Sequence, residues 1–149
     1  MEDVMRIDSL HPVISARLMV VDVDATLRNA ALSFSNPAIG LVVVCHGSGE
    51  AAGVLSKSDL VRHLANSGSA EAPVSTLMSR SIVSCGPEDD VHSVWQTMVA
   101  QRLQNIPVLG AGSKPLGILD IRDAMKALCE QEELQERLLA NYIGGIGYQ

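Results

Sequence analysis

Gly53-Val54-Leu55-Ser56-Lys57-Ser58-Asp59 returns 64 residues later as Gly117-Ile118-Leu119-Asp120-Ile121-Arg122-Asp123. The offset holds well outside these seven positions. Leu27 maps to Val91, Phe34 to Met98, Val44 to Val108, Leu64 to Leu128 and Ala65 to Cys129, with no gap. A chain of 149 residues is therefore mostly two copies of one unit of about sixty residues. Self-similarity at a fixed period marks units that bury their apolar faces against each other. Function is then expected in the groove between the copies and where the copies differ.

Within the first copy, Met19-Val20-Val21 reads as a short strand. Leu27, Ala30, Ala31 and Phe34 follow at i, i+3, i+4 and i+7, the stripe of a helix with one buried face, with Asp24 as its expected N-cap. Asn36-Pro37 ends that helix. Leu41 to Cys45 is apolar throughout and reads as a strand covered on both faces. His46 to Gly49 is a turn, Ala51 to Leu55 a returning strand, and Lys57 to Asn66 a second helix. The second copy repeats the order. Ile82-Val83-Ser84 is the expected short strand, and Pro87 the expected first helical residue ahead of the acidic Glu88-Asp89-Asp90. Val91, Val94, Trp95 and Met98 form the apolar stripe. Ile106 to Leu109 and Leu116 to Leu119 are the strands, and a long helix runs from Ile121 to about Leu139. Each copy is β-α-β-β-α, an α/β unit whose open sheet face is buried by its twin. Residues 67–73 are small and polar and link the copies.

Composition narrows the functional classes. The apolar fraction is 47% but aromatics are only 3%, so aliphatic residues must fill the core. The net charge is −6, divided equally between residues 1–72 and 73–149, which argues against the basic footprint of a nucleic-acid binder. No apolar run approaches the length of a membrane span, and the acidic N-terminus lacks a signal peptide's pattern. Cys45, Cys85 and Cys129 show no ligand spacing and are expected to be buried small hydrophobes in a reducing, cytoplasmic setting. His11, His46, His63 and His92 share no motif with carboxylates or cysteines, and Gly47-Ser48-Gly49 is a hairpin turn, so catalysis and metal binding are not expected.

Three features together resemble the tandem CBS (cystathionine-β-synthase-type) pair, also called a Bateman module. They are Gly53 to Asp59 opening the last helix of the first copy, Ile106-Pro107-Val108 with its internal proline, and Leu77-Met78 with Pro87 around the second short strand. The resemblance spans roughly residues 10–130, with repeats over 10–66 and 73–130 and a helical extension and tail over 131–149. The first copy departs from the pattern where Val43 and Val23 stand in place of Pro107 and Pro87.

The resemblance implies a stand-alone regulatory module, dimeric, that binds AMP, ADP, ATP, S-adenosylmethionine or NAD between the copies and acts on a partner protein. It implies that Asp59 accepts hydrogen bonds from ribose hydroxyls and that Ser56 contacts phosphate or ribose, with Lys57 as a phosphate partner. Adenine would be held by apolar contacts and backbone groups, from Val20, Val21 and Val43 in the first copy and from Val83, Ser84, Asn105 and Ile106 in the second. In the second copy Asp123 keeps the ribose position. Asp120 replaces the serine and places a negative charge where phosphate would lie, while Arg122 either offsets it or is a solvated helix-face residue. The two sites are expected to differ, the one at Asp120 being empty or restricted to ligands with few phosphates. The same residues have a plainer reading, since Ser-x-x-Asp is also a helix cap and the valines are also core. The alternative function is a ligand-free dimeric scaffold. The C-terminal Tyr142, Ile143, Ile146 and Tyr148 read as a tail that docks or frays.

Overall fold

The computed structural model describes the backbone of residues 4–147 and the side chains as far as Asn141. A 3-10 turn over Ile7–Leu10 leads into α1 (His11–Ala16), β1 (Val20–Asp22), α2 (Leu27–Phe34), β2 (Leu41–Cys45), β3 (Ala51–Ser56) and α3 (Lys57–Ala65). The second copy continues as α4 (Val91–Gln101), β4 (Asn105–Leu109), β5 (Pro115–Asp120) and α5 (Ile121–Gly147).

The repeat is preserved in the register. In the first sheet β1 runs parallel to β2, and β2 runs antiparallel to β3 with Val43 opposite Val54. In the second, β4 and β5 are antiparallel with Pro107 opposite Ile118. Both hairpins carry a bulge at the same place, after Val44 and after Val108.

The expected strand Ile82-Val83-Ser84 does not form, and two prolines explain why. In the first copy Val43 N–H donates to the Met19 carbonyl and Val23 N–H donates to the Cys45 carbonyl, each at 3.0 Å. The equivalents in the second copy are Pro107 and Pro87, which have no N–H to donate. Only a single parallel bridge, Cys85 to Val108, remains. Pro107 is tolerated in β4 because its missing donor faces this weakly paired edge.

Helix starts also differ from the sequence reading. Thr26, not Asp24, caps α2: its Oγ1 accepts from Asn29 N–H and Asn29 Oδ1 accepts from Thr26 N–H, a reciprocal capping box. Its 64-residue counterpart, Asp90, caps α4 by accepting from Ser93 N–H at 3.2 Å. Pro87 therefore lies in the turn before the helix, not inside it. The last helix runs on to Gly147, past the expected Leu139, and the tyrosine and isoleucine side chains of the tail lie outside the described residues.

Among the described residues, three apolar clusters hold the fold. Leu27, Phe34, Val42, Leu55 and Leu60 pack with Val74 and Met78, which lie beyond the first copy in sequence. Val91, Met98, Val108 and Leu119 pack with Ile7 and Ile14, from the N-terminal segment that leads into the first copy. Leu41, Val43 and Cys45 meet Ile118 between the two sheets. The leading segment of each copy is thus part of the other copy's core. The link around 67–73 is also ordered on the first copy, where Leu27 and Arg28 N–H donate to Ala72 and Ala70 carbonyls.

Cys45 and Cys85 are buried as expected, but Cys129 is exposed on α5. Burial, reinforced by the nearby Asp89 charge, pushes the Cys85 thiol up to about 12, and burial with the charge of Asp22 raises Cys45. The thiolate is the reactive form. A thiol reagent at neutral pH should therefore modify one cysteine per folded chain, with Cys129→Ser abolishing the fast phase. Fast labelling that survives Cys129→Ser would contradict this burial.

Candidate nucleotide cleft

A cavity of about 920 Å³ opens between the copies on the Asp59 side. Its walls come from several parts of the chain. The start of α3 supplies Ser56, Lys57, Ser58, Asp59, Val61 and Arg62. Gly40, just before β2, and Leu41, its first residue, supply another part. Ser79 and Ser81, with Val83 from the segment that failed to become a strand, supply a further wall. The stretch from the end of α4 into β4 supplies Arg102 to Pro107, and Arg122 reaches in from α5.

Ser56 is the N-cap of α3, with its Oγ accepting from Asp59 N–H at 3.1 Å. Lys57 N–H donates to the Gly40 carbonyl at 3.1 Å, so what this helix start offers an anion is the positive end of its dipole together with Ser56, Lys57 and Ser58, which line the cavity. The Asp59 carboxylate, 38% exposed, takes one contact at 3.2 Å from Arg62, one turn along the helix. That surface pair is weak, so the carboxylate's remaining lone pairs are open to a diol. On the opposite wall, Asn105 Oδ1 is buried and, among the described residues, accepts no hydrogen bond. A buried acceptor without a donor costs about 1–3 kcal/mol, which a ligand N–H or O–H would relieve.

The lining is basic in a chain that is acidic overall. Lys57, Arg62, Arg102 and Arg122 face a single carboxylate, Asp59. Arg102 ends α4 in the left-handed region (φ 56°, ψ 43°), where glycine is usual. Holding a side chain there costs about 1 kcal/mol. Neither Arg62 nor Arg102 belongs to a sequence pattern, and only the fold brings them to the cleft.

Of the sequence candidates, Ser56, Lys57, Asp59, Val83, Asn105, Ile106 and Arg122 line this cavity. Val21, Val43, Ser84, Asp120 and Asp123 do not. Val43 is fully buried in the cluster between the sheets, and Val21 packs partly buried on the first-copy core, outside the cavity lining. Val20 and Ser84 are solvent-exposed but away from the cavity.

Asp120 and Asp123 are engaged elsewhere. Asp120 is buried, its side chain 3% exposed. Its Oδ1 accepts from Arg122 N–H at 2.8 Å and Nε at 3.0 Å, its Oδ2 from Arg122 Nη2 at 2.9 Å, and Arg17 Nη1 lies 3.8 Å away. The expected repulsive charge is thus already neutralised. Burial acts to raise the carboxyl's pKa, but the Arg122 hydrogen bonds and the two guanidinium charges outweigh it and hold it below the usual value. A depressed carboxyl stabilises the fold above its unfolded pKa of about 4 and loses that contribution as pH falls through the folded value. Asp120→Asn should therefore lower stability at pH 7 and flatten the acid limb of a stability–pH curve. Parallel curves for the two proteins would refute this. The same pairing fixes the Arg122 guanidinium, itself 70% exposed, at the cavity edge.

Asp123 is gripped by Arg17, which donates from Nε at 2.5 Å and from Nη2 at 3.2 Å, while Nη1 donates to the Ala38 carbonyl at 2.6 Å. The hydrogen bond to Asp123 raises the Arg17 pKa against the opposing effect of burial.

Comparison with known proteins agrees with this architecture. The CBS domain family model matches residues 2–66 and 74–130, and the chain belongs to that family. It is 23% identical over 133 residues to an uncharacterized 17.7 kDa protein of Acidianus ambivalens, covering 89% of this chain and 80% of that one. It is 24% identical over 107 residues to the arabinose 5-phosphate isomerase GutQ of Shigella flexneri, spanning 72% of this chain but only 33% of that enzyme. Among solved structures, the CBS domain pair of protein MJ0100 in complex with 5′-methylthioadenosine and S-adenosyl-L-methionine superposes with a TM-score of 0.74 at 15% identity, covering 87% of this chain and 99% of that one. The CBS domain protein PAE2072 of Pyrobaculum aerophilum complexed with AMP gives 0.71 at 21% identity, covering 80% and 89%. The fold is that of a CBS domain pair. Among the described residues no helix is long and apolar enough to cross a membrane, and no group of three or more potential metal ligands is gathered.

Proposed function

We propose that this chain is a regulatory module that binds an adenosine-containing ligand (AMP, ADP, ATP or S-adenosylmethionine) in the Asp59 cleft and alters its hold on a partner protein. The observation that carries the reading is the cavity itself, with an available carboxylate, a helix N-terminus and four cations placed around one space. Asp59 takes the ribose diol. The first turn of α3 with Lys57, Arg102 and Arg122 takes the phosphates or, in S-adenosylmethionine, the carboxylate. Asn105, the Val83 side chain and the backbone of Ile106 receive the base. The two structural neighbours solved with adenosine-type ligands support the ligand class. Because the walls come from both copies, occupancy favours one relative orientation of the copies over others, and that differential affinity is the signal a partner reads.

The module acts as a homodimer. Leu32 on α2, and Val61 and Leu64 on α3, are exposed apolar side chains on helices in mutual contact, and a second copy would cover them. Sedimentation equilibrium should give twice the chain mass, and a monomer would remove this part of the reading.

Calorimetric titration of the purified chain with AMP, ADP, ATP and S-adenosylmethionine tests the ligand. Asp59→Ala should weaken binding on the order of 10–100-fold, the worth of hydrogen bonds to a charged acceptor. A folded wild-type chain that binds none of the four would leave a ligand-free scaffold as the better account.

A further inference from the structure

The 64-residue offset that pairs Asp59 with Asp123 also pairs Ser81 with Arg17 and Arg102 with Ala38. Around Asp59, the Ser81 and Arg102 positions are two walls of an open cavity. Around Asp123, the equivalent walls are joined: one guanidinium at residue 17 forks onto the Asp123 carboxylate and donates its third nitrogen to the Ala38 carbonyl. The two clefts of the repeat are therefore in opposite states, and the exchange of Ser81 for Arg17, with that of Arg102 for Ala38, accounts for it.

We propose that Arg17 is a built-in occupant of the second cleft, taking on Asp123 the hydrogen bonds that a ligand diol would take, so that each chain offers one nucleotide site instead of two. The inference rests on the reading of the Asp59 cleft as a nucleotide site.

The geometry supports a fixed plug over a passing surface contact. Arg17 and Asp123 side chains are each only 18% exposed. A two-pronged guanidinium–carboxylate pair is both strong and directional. Arg17 is also delivered by a rigid mount. It is the C-cap residue of α1, whose Ile14 is 2% exposed in the second-copy core and whose backbone lies against Gly117. A ligand diol would have to displace a charged donor from Asp123 and offer neutral hydroxyls in its place. It would also leave the Arg17 charge beside Asp120, whose carboxylate is already shared with Arg122. Other groups facing this spot do not compensate, because Asp120 and Arg122 satisfy each other.

The test counts AMP bound per chain, by native mass spectrometry and calorimetry, in the wild type and four variants. Arg17→Ser installs the residue of the open cleft. Arg17→Gln removes the charge while retaining a donor for the Ala38 carbonyl, and serves if the serine variant folds poorly. Arg17→Ser/Asp59→Ala isolates the second cleft. The expected counts are one for wild type, two for either single variant, and one for the double variant. That last site should be lost on adding Asp123→Ala. Two AMP on the wild type, or one AMP on folded Arg17→Ser, would overturn the proposal while leaving the Asp59 reading intact. No AMP on the wild type with one on the double variant would instead overturn the Asp59 reading and uphold the plug. No AMP on any of the proteins would overturn both.

Discussion

Gly117→Val should be among the most damaging single changes, destabilising the fold by about 3 kcal/mol or more, because it forces overpacking and undocks a buried segment. A Cβ at Gly117 would lie 2.7 Å from the backbone carbon and oxygen of Ile14 and 2.9 Å from the Ile14 Cβ. Backbone atoms in a helix cannot step aside as a flexible side chain can. The segment from Ile7 to Arg17 must therefore lift from β5, exposing Ile7 and Ile14, both buried in the second-copy cluster. The lift also withdraws Arg17 from Asp123. Urea denaturation would register the lost stability, and limited trypsin digestion would show new cleavage after Arg17. Gly47→Ala is the control, since nothing lies within 4 Å of a Cβ there, and it should change stability by less than about 0.5 kcal/mol. An unchanged denaturation midpoint for Gly117→Val would mean that the N-terminal segment is not packed as described.

Leu119→Ala should cost about 2–5 kcal/mol, a fall of roughly 2–4 °C in melting temperature for each kcal/mol in a chain near this size. Leu119 is fully buried in β5, opposite Ile106, within the cluster that joins α4, the N-terminal segment and the second sheet. Truncation leaves a void that three separate pieces of chain would have to close together. Leu119→Met keeps the volume and should cost less than about 1.5 kcal/mol. Equal losses for the two variants would show that the site tolerates collapse and that packing volume is not what Leu119 supplies. Because Asp120 follows directly and anchors Arg122 at the cavity edge, the alanine variant should also weaken nucleotide binding, whereas the methionine variant should not.

Much of the proposed Asp59 site could be read from local chemistry. Ser56 and Asp59 stand out because a helix start has a sequence signature and because the motif is repeated. The strands β2 to β5 follow from apolar runs bounded by turns, and the buried faces of α2 and α4 from their spacing. The misreadings each have a physical cause. Ile82-Val83-Ser84 has strand-forming residues, but a strand also needs partners, and Pro87 and Pro107 removed two of the donors. Val21 and Val43 have the right character for an adenine wall, yet side-chain alternation along the strands turned Val43 into the contact between the sheets. Arg62 and Arg102 carry no pattern at all, since a solvated arginine and a cavity arginine look alike in one dimension. Arg17 was invisible for the same reason, although the 64-residue offset, applied to Ser81, points to it.

The amino-acid sequence alone determined the duplication, the order of strands and helices, the apolar faces and the two carboxylates at equivalent helix starts. Those properties depend on periodicity, capping and turn chemistry within a few residues of each position. Only the tertiary structure decided which carboxylate is left open. That outcome depends on a hydrogen bond between residues 106 positions apart, made because an N-terminal helix packs on the second sheet at Gly117. Local forces build two similar clefts, and long-range packing fills one of them with an arginine.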